Sequence, residues 1–436
     1  MPSSPVYNRC AFRSLSAGKR PFPDRSERVQ TTLPETIRAH HLGRTAETAL
    51  RACVHCGFCN SVCPTYQMLG DETDGPRGRI YLIKNLLEGR ADASVVRRHL
   101  DRCLTCRACE RQCPSGVPYS KLLEAGREMA EMESRRTLGA RAMRWLLRSV
   151  FPYRTRARGL FASGRLVAPI LPRRLRRMLR EHRLGAQLRQ TPGSTTTRRA
   201  VLFAGCVQDA ARPGINRAAA ALLGRLGWGL ETDPGGCCGA LSHHLSAGTD
   251  AERFMRANVD AWWPLIDDGL EALVVTASGC GAMLSDYGRL LAHDPAYAEK
   301  AAAVSSRVRD LSTCINIDDL TVLGLTPDSR KIALHRPCTL EYSMNLGEHL
   351  ETLLRNAGFD LARTTPDLAC CGSAGTYSLL EPDLAQELLR RKLIALDAEK
   401  VDLILTANIG CELHLASGSD VPVQHWALAL AQRLPD

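Results

Sequence analysis

Two runs of cysteines carry the clearest chemistry in the chain. Cys53, Cys56, Cys59 and Cys63, followed by Pro64, have the spacing CxxCxxCxxxCP; Cys103, Cys106, Cys109 and Cys113, followed by Pro114, repeat it 50 residues on. Thiolates are soft ligands suited to iron–sulfur clusters and zinc. A cubane needs four of them converging on four irons. Three Cys at i, i+3 and i+6 wrap a tight turn around one cluster. The fourth, just before Pro, points away, and in two-cluster chains of this spacing it ligates the other cluster. The spacing therefore assigns Cys53, Cys56, Cys59 and Cys113 to one [4Fe–4S] cluster, and Cys103, Cys106, Cys109 and Cys63 to a second. Each Pro ends its turn and redirects the chain. Structural zinc is the competing chemistry, but zinc sites usually show two separated CxxC pairs rather than one continuous run.

A second constellation lies in the C-terminal half. Cys206, the pair Cys237–Cys238 and Cys280 are answered by Cys338, the pair Cys370–Cys371 and Cys411, at offsets of 132, 133 and 131 residues. Near-equal offsets over three landmarks indicate duplication of a whole domain. The flanking Cys follow apolar runs that read as strands: AVLFAGC to Cys206, EALVVTASGC to Cys280, KIALHRPC to Cys338 and DLILTANIGC to Cys411. In a parallel α/β sheet, ligands collect at the carboxyl ends of strands. Four thiols of one repeat can thus share a cleft, as a further iron–sulfur site or a thiol redox site. Gly239 and Gly372, which close the Cys-Cys-Gly triplets, permit the tight backbone that a vicinal pair needs. The alternative is that these Cys are small buried residues in turns; repetition of the whole pattern argues against it.

These residues must be positioned by several domains, since 436 residues exceed one ordinary domain. Residues 1–30 read as a basic, Ser- and Pro-rich disordered tail. Residues 31–134 hold the first eight Cys between helical stretches, one of them RGRIYLIKNLLEGR at Arg77–Arg90 with apolar spacings of three and four. Residues 135–199 carry 18 Arg, no Lys and one acid, Glu181. The net charge of +11 is thus concentrated there, the rest of the chain being acidic. Residues 200–325 and 326–436 are the duplicated α/β domains. No run approaches 18 apolar residues, and no secretory signal is evident. Eighteen Cys without such a signal point to a reducing cytoplasm, where thiols serve as ligands or redox groups. Within the Arg-rich segment, Trp145, Phe151, Tyr153 and Phe161 are interleaved with Arg, a pattern for an anionic membrane surface or a partner's acidic face. A solvated linker, or compensation of negative cluster charge, would give the same composition. No nucleic-acid fold motif accompanies the charge. Cys10 and Cys314 have no companions and read as free thiols; His243–His244 read as polar surface.

Tandem CxxCxxCxxxCP motifs followed by two Cys…Cys-Cys-Gly…Cys repeats resemble the CCG-domain family, which includes heterodisulfide reductase subunits and glycolate oxidase-type iron–sulfur chains. The matching segments are Arg51–Lys84, His99–Arg127, Thr276–Gly288, His335–Tyr342, Cys370–Pro382 and Asn408–Gly418, and the resemblance covers about residues 31–436. It implies an α+β multidomain fold: an α-helical two-[4Fe–4S] ferredoxin domain followed by two tandem α/β, Rossmann-like CCG domains. It also implies electron transfer, with FAD on partner glycolate oxidase subunits and a quinone or other membrane acceptor. The chain itself has no GxGxxG after a strand, so it is expected to be an oxidoreductase subunit without substrate chemistry of its own, cytoplasmic or peripheral on the membrane's inner face. One departure stands out. CCG repeats often close with CxxC, whereas here Met283 and His414 take the last position, leaving four Cys per repeat. This weighs against a heterodisulfide reductase-like enzyme, and leaves glycerol-3-phosphate, D-lactate or D-2-hydroxyglutarate dehydrogenase assemblies as alternative settings. His414 is a candidate substitute ligand.

Overall fold

The computed structural model describes residues 29–39, 41–179, 198–364, 369–397 and 399–435. Nearly all of the expected N-terminal tail, Cys10 included, lies outside them.

The first unit is helical. The stretch expected at Arg77–Arg90 is a helix over Pro76–Leu87. Pro76 sits in its first turn, where a missing N–H costs nothing, and Gly89 just beyond its end takes the left-handed conformation (φ 70°). Ile80, Ile83, Leu86 and Leu87 form its buried stripe. They pack with Leu50, Leu100, Leu122 and Leu123 from the helices His41–Ala52, Ala93–Asp101 and Tyr119–Glu133. The two CxxCxxC loops repeat in shape as well as sequence. His55 and Thr105 both have φ 54°, and Gly57 and Arg107 are both left-handed. Cys63 and Cys113 are extended (φ −82° and −78°), each turned out of its loop ahead of a Pro.

The Arg-rich segment forms helices over Leu138–Val150, Arg154–Leu166 and Arg173–Leu179, and is no solvated linker where it is described. Its arginines are tied into neighbouring units: Arg136 donates to Asp101 (2.6 Å), Arg148 to Asp250 (2.6 Å) and Arg154 to Asp233 (2.7 Å), and Arg158 pairs with Asp209 (2.6 Å). The segment is thereby a belt bound to both the ferredoxin unit and the first repeat.

Each repeat contains a four-stranded parallel sheet. The strands are β1 (Arg199–Leu202), β2 (Gly229–Glu231), β3 (Ala272–Val275) and β4 (Val308–Asp310), then β5 (Lys331–Leu334), β6 (Asp360–Leu361), β7 (Leu403–Thr406) and β8 (Val423–His425). The spatial orders are β2-β1-β3-β4 and β6-β5-β7-β8, the same topology twice. The four runs expected as strands before Cys206, Cys280, Cys338 and Cys411 are β1, β3, β5 and β7, the central pair of each sheet. β3 and β7 are buried at every position, as sheets covered on both faces require. The repeats share one core, in which Leu222, Trp228 and Val274 pack with Leu353, Leu405 and Trp426. Across this seam Ser278 N–H donates to Ala407 O (3.1 Å), and Arg212 pairs with Glu412 at 2.8 Å, with side chains only 2% and 1% exposed. The α+β multidomain class expected from sequence is the one observed.

Candidate metal centre and thiol sites

The structure brings the first eight Cys together in two sets. Cys53, Cys56, Cys59 and Cys113 line one small cavity of about 20 Å³, with Cys109 at its edge. Cys63, Cys103, Cys106 and Cys109 line another of about 20 Å³. Donors converge on the sulfurs: His55 N–H on Cys53 (3.4 Å), Val117 N–H on Cys113 (3.5 Å) and the Tyr119 hydroxyl on Cys103 (3.7 Å). Burial raises the pKa of Cys53 and pushes Cys59 up to about 12, with the charges of Cys53, Cys113 and Cys56 adding to it. Burial does the same, more strongly, for Cys106 and Cys109. Such sets cannot hold several bare thiolates; they need a bound cation to deprotonate them. Next to them lies Arg79, buried, donating to Thr65 Oγ1 (3.1 Å), with Nη1 4.0 Å from Cys63 Sγ. Its desolvation is outweighed by Cys103, Tyr119, Cys63 and Asp74, which hold it protonated. Four soft donors, N–H groups aimed at sulfur and a buried cation balancing a negative group fit an iron–sulfur cluster in each set.

The later Cys also converge, at the strand ends. Cys206 Sγ and Cys237 Sγ are 3.5 Å apart in the first repeat; Cys371 Sγ and Cys411 Sγ are 3.3 Å apart in the second. These separations exceed a disulfide bond, near 2.05 Å. Cys280 lies beside Cys238, and Cys338 beside Cys370. Thiol–thiol contact and burial push Cys206 and Cys338 far up. Gly239 and Gly372 have φ of 84° and 90°, which only glycine adopts without strain. That turn aims Gly239 N–H at Cys237 and Gly372 N–H at Cys370, both at 3.4 Å. Cys314 is buried in the shared core, away from both groups.

The last positions of the two repeats behave differently from ligands. Met283 packs in the first repeat's core, and His414 Nε2 faces Ala385 O at 3.3 Å. Among the described residues, the imidazole that groups with thiols is His335, whose ligand atom lies within 4.8 Å of those of Cys371 and Cys411, all three buried. Sequence reasoning missed it; its position three residues before Cys338, after β5, was the available signal. His243 and His244, read from sequence as polar surface, also stand on the wall of a large cavity of about 580 Å³. His244 is indeed exposed and His243 part-buried; what the sequence did not show is that the short helix Ala240–His244, following the Cys-Cys-Gly turn, sets both at the cavity wall. This cavity is also lined by Cys103 and by all eight Cys of the two repeats. The second ferredoxin set and the second repeat are in direct contact: Leu104, Cys106, Cys370, Tyr377 and Leu388 form one apolar cluster, with Cys338 packed against it.

Comparison with known proteins agrees with this arrangement. A family profile described as a 4Fe-4S dicluster domain matches residues 49–117, and one described as a cysteine-rich domain matches residues 200–285 and 332–416. The glycolate oxidase iron–sulfur subunit of Escherichia coli K12 is 44% identical over 407 residues, covering 93% of this chain and 99% of the relative. The probable glycolate oxidase iron–sulfur subunit of Bacillus subtilis 168 is 32% identical, covering 86% and 90%. Lactate utilization protein A of Bacillus velezensis is 25% identical, over 53% of this chain and 98% of its own length.

Proposed function

Since this chain belongs to the family of glycolate oxidase iron–sulfur subunits, we propose that it carries electrons from a flavin-bearing partner, which oxidises glycolate to glyoxylate, towards a membrane quinone. An iron–sulfur electron-transfer role within a dehydrogenase complex follows from membership; the substrate, the acceptor and the residue assignments are the parts proposed. Cys53, Cys56, Cys59 and Cys113 hold one [4Fe–4S] cluster, and Cys103, Cys106, Cys109 and Cys63 the other. Such clusters supply one-electron chemistry when bound. The protein's own part is to place them. Cys109 stands at the wall between the two sets, and Cys106 packs with Cys370 and Cys338. That contact is the observation that carries the reading, because it makes one unbroken series of sulfur sites from the N-terminal unit into the second repeat. FAD belongs to partner subunits. The Arg-rich belt, with Trp145 and Leu138 exposed beside its arginines, is the surface that meets the membrane.

Iron and acid-labile sulfide per chain, read beside low-temperature EPR of the anaerobic protein, test this. Cys113→Ser is expected to perturb the cluster held by the Cys53 loop and leave the other signal unchanged; Cys63→Ser is expected to do the reverse. Each variant affecting its own loop's cluster instead would reject the crossed assignment. About twelve irons rather than eight, with a signal lost in Cys370→Ser, would extend the electron path into the repeats. In the intact complex, glycolate turning over faster than D-lactate is the expected substrate order; the opposite order would move the chain to a lactate system.

A further inference from the structure

The large cavity exceeds what a cluster requires. Each ferredoxin set encloses about 20 Å³, whereas the cavity between the repeats has about 580 Å³. By the same measure it is far roomier than either cluster-sized set. Its roof comes from the Arg-rich belt, with Phe161, Leu171, Leu175 and Met178 facing inward. Leu160 and Leu175 line the cavity and are also about half exposed, while Leu166 and Ile170 nearby are each 84% exposed. Apolar surface therefore continues from the outside of the belt into the interior.

Two imidazoles line the same cavity. The surrounding protein desolvates both rings and lowers their pKa values, that of His243 against the pull of Glu124, although His244 is exposed and His243 only part-buried. Neutral imidazoles present one N–H donor and one acceptor each, suited to an uncharged carbonyl-bearing ligand. Behind them runs a chain of charged groups. His243 Nε2 is 3.7 Å from Glu124 Oε1, and Arg289 donates to both Glu124 oxygens (2.9 and 3.0 Å) and to Asp286 (3.2 Å). Arg107, between Cys106 and Cys109, donates to the same Asp286 (2.8 Å). Arg127, from the helix that carries Glu124, is the remaining cation facing the pair.

We propose that this cavity is where a quinone is reduced, its ring between the thiol-bearing strand ends and the roof, with His243 and His244 bonding its carbonyl oxygens and passing them protons. This rests on the carrier reading above. The balance is simple. Oxidation of the 2-hydroxy acid to the 2-oxo acid releases two electrons and two protons. The quinone takes up two electrons, and one proton at each oxygen, to give the hydroquinone. Each imidazole gives its N–H proton to a quinone oxygen as its other ring nitrogen takes one up from solvent, so both rings end neutral; Glu124, held by Arg289, orients His243. The apolar roof admits the isoprenoid tail and excludes bulk water.

The test uses the intact complex, with its 2-hydroxy acid as reductant and two acceptors. Ferricyanide takes electrons alone; decylubiquinone takes electrons and protons. His243→Gln with His244→Gln is expected to lower quinone turnover about 10²-fold, the usual worth of a positioned proton donor, and to leave ferricyanide turnover within about twofold. Leu175→Trp, which narrows the cavity under the belt, is expected to raise the KM for decylubiquinone at least about fivefold with little change in ferricyanide turnover. An azidoquinone should label peptides from 160–179 and 240–245, and excess decylubiquinone should suppress that labelling. Equal losses with both acceptors, unchanged quinone kinetics or labelling elsewhere would overturn the proposal. Wild-type complex that cannot pass electrons to ferricyanide would overturn the carrier reading itself.

Discussion

Single residues set the geometry at the sulfur sites, and two glycines show how tightly. A Cβ at Gly372 would stand 2.8 Å from Ala385 O and 2.9 Å from Leu388 Cβ, in a left-handed backbone. At Gly239 the nearest atom, Ala251 O, would be 3.1 Å away. Left-handed strain alone costs on the order of 1–2 kcal/mol, and a backbone clash adds to it. Gly372→Ala is therefore expected to destabilise by about 3 kcal/mol and Gly239→Ala by about 1–2 kcal/mol, measured as urea midpoints under anaerobic conditions. Equal midpoints would mean that the helix Pro382–Leu396 yields to the added methyl. Both glycines were legible in the sequence from their place after vicinal Cys. His335 was legible only as a neighbour of Cys338; its place in sequence does not tell a histidine that meets Cys371 and Cys411 from one that only bonds Thr406 (2.9 Å).

At the scale of elements, what was legible was local and periodic. Apolar runs ending in Cys gave the central strands, and spacings of three and four gave the helix Pro76–Leu87. The belt was half legible: its composition was plain, but its arginines find partners such as Asp233 and Asp250 roughly 80 to 100 residues away, which no window of sequence reveals. The seam between repeats is of the same kind. There His425, the last residue of β8, directs Nε2 to Thr276 O (2.9 Å) beyond β3 and accepts from Ala427 N–H at Nδ1 (3.2 Å). Burial lowers its pKa to about 4. A depressed histidine binds fewer protons folded than unfolded. Its contribution to stability is thus complete above the unfolded pKa near 6.5 and is lost as pH falls towards 4. Two to three pKa units correspond to roughly 3 kcal/mol. Unfolding midpoints measured from pH 7 to pH 4 should fall less steeply in His425→Gln than in the native chain; parallel curves would assign the acid sensitivity to other groups.

For the molecule as a whole, the belt and the seam decide what moves together. Arg212 spans three parts: it pairs with Glu412 across the seam and donates to Met178 O in the belt (2.9 Å). Arg212→Met should cost about 3–5 kcal/mol, because it leaves Glu412 buried without its cation, and adding Glu412→Leu should recover most of that. A double variant as unstable as the single one would show that the contact with Met178 matters more than the ion pair. No described helix is long and apolar enough to cross a membrane. Vesicles containing anionic lipid are expected to bind the chain at low salt and release it as ionic strength rises, with Leu166→Ser and Ile170→Ser weakening binding at both; neutral vesicles binding equally well would remove the electrostatic part. The common core of the repeats has one more consequence. A duplicated domain with its own interior can be deleted, recopied or exchanged by recombination. Here Trp228 and Trp426 lie in the same core, so losing either copy strips the other. The two halves of this gene are free to diverge, as Phe203 and His335 have at equivalent positions, but they are no longer free to part.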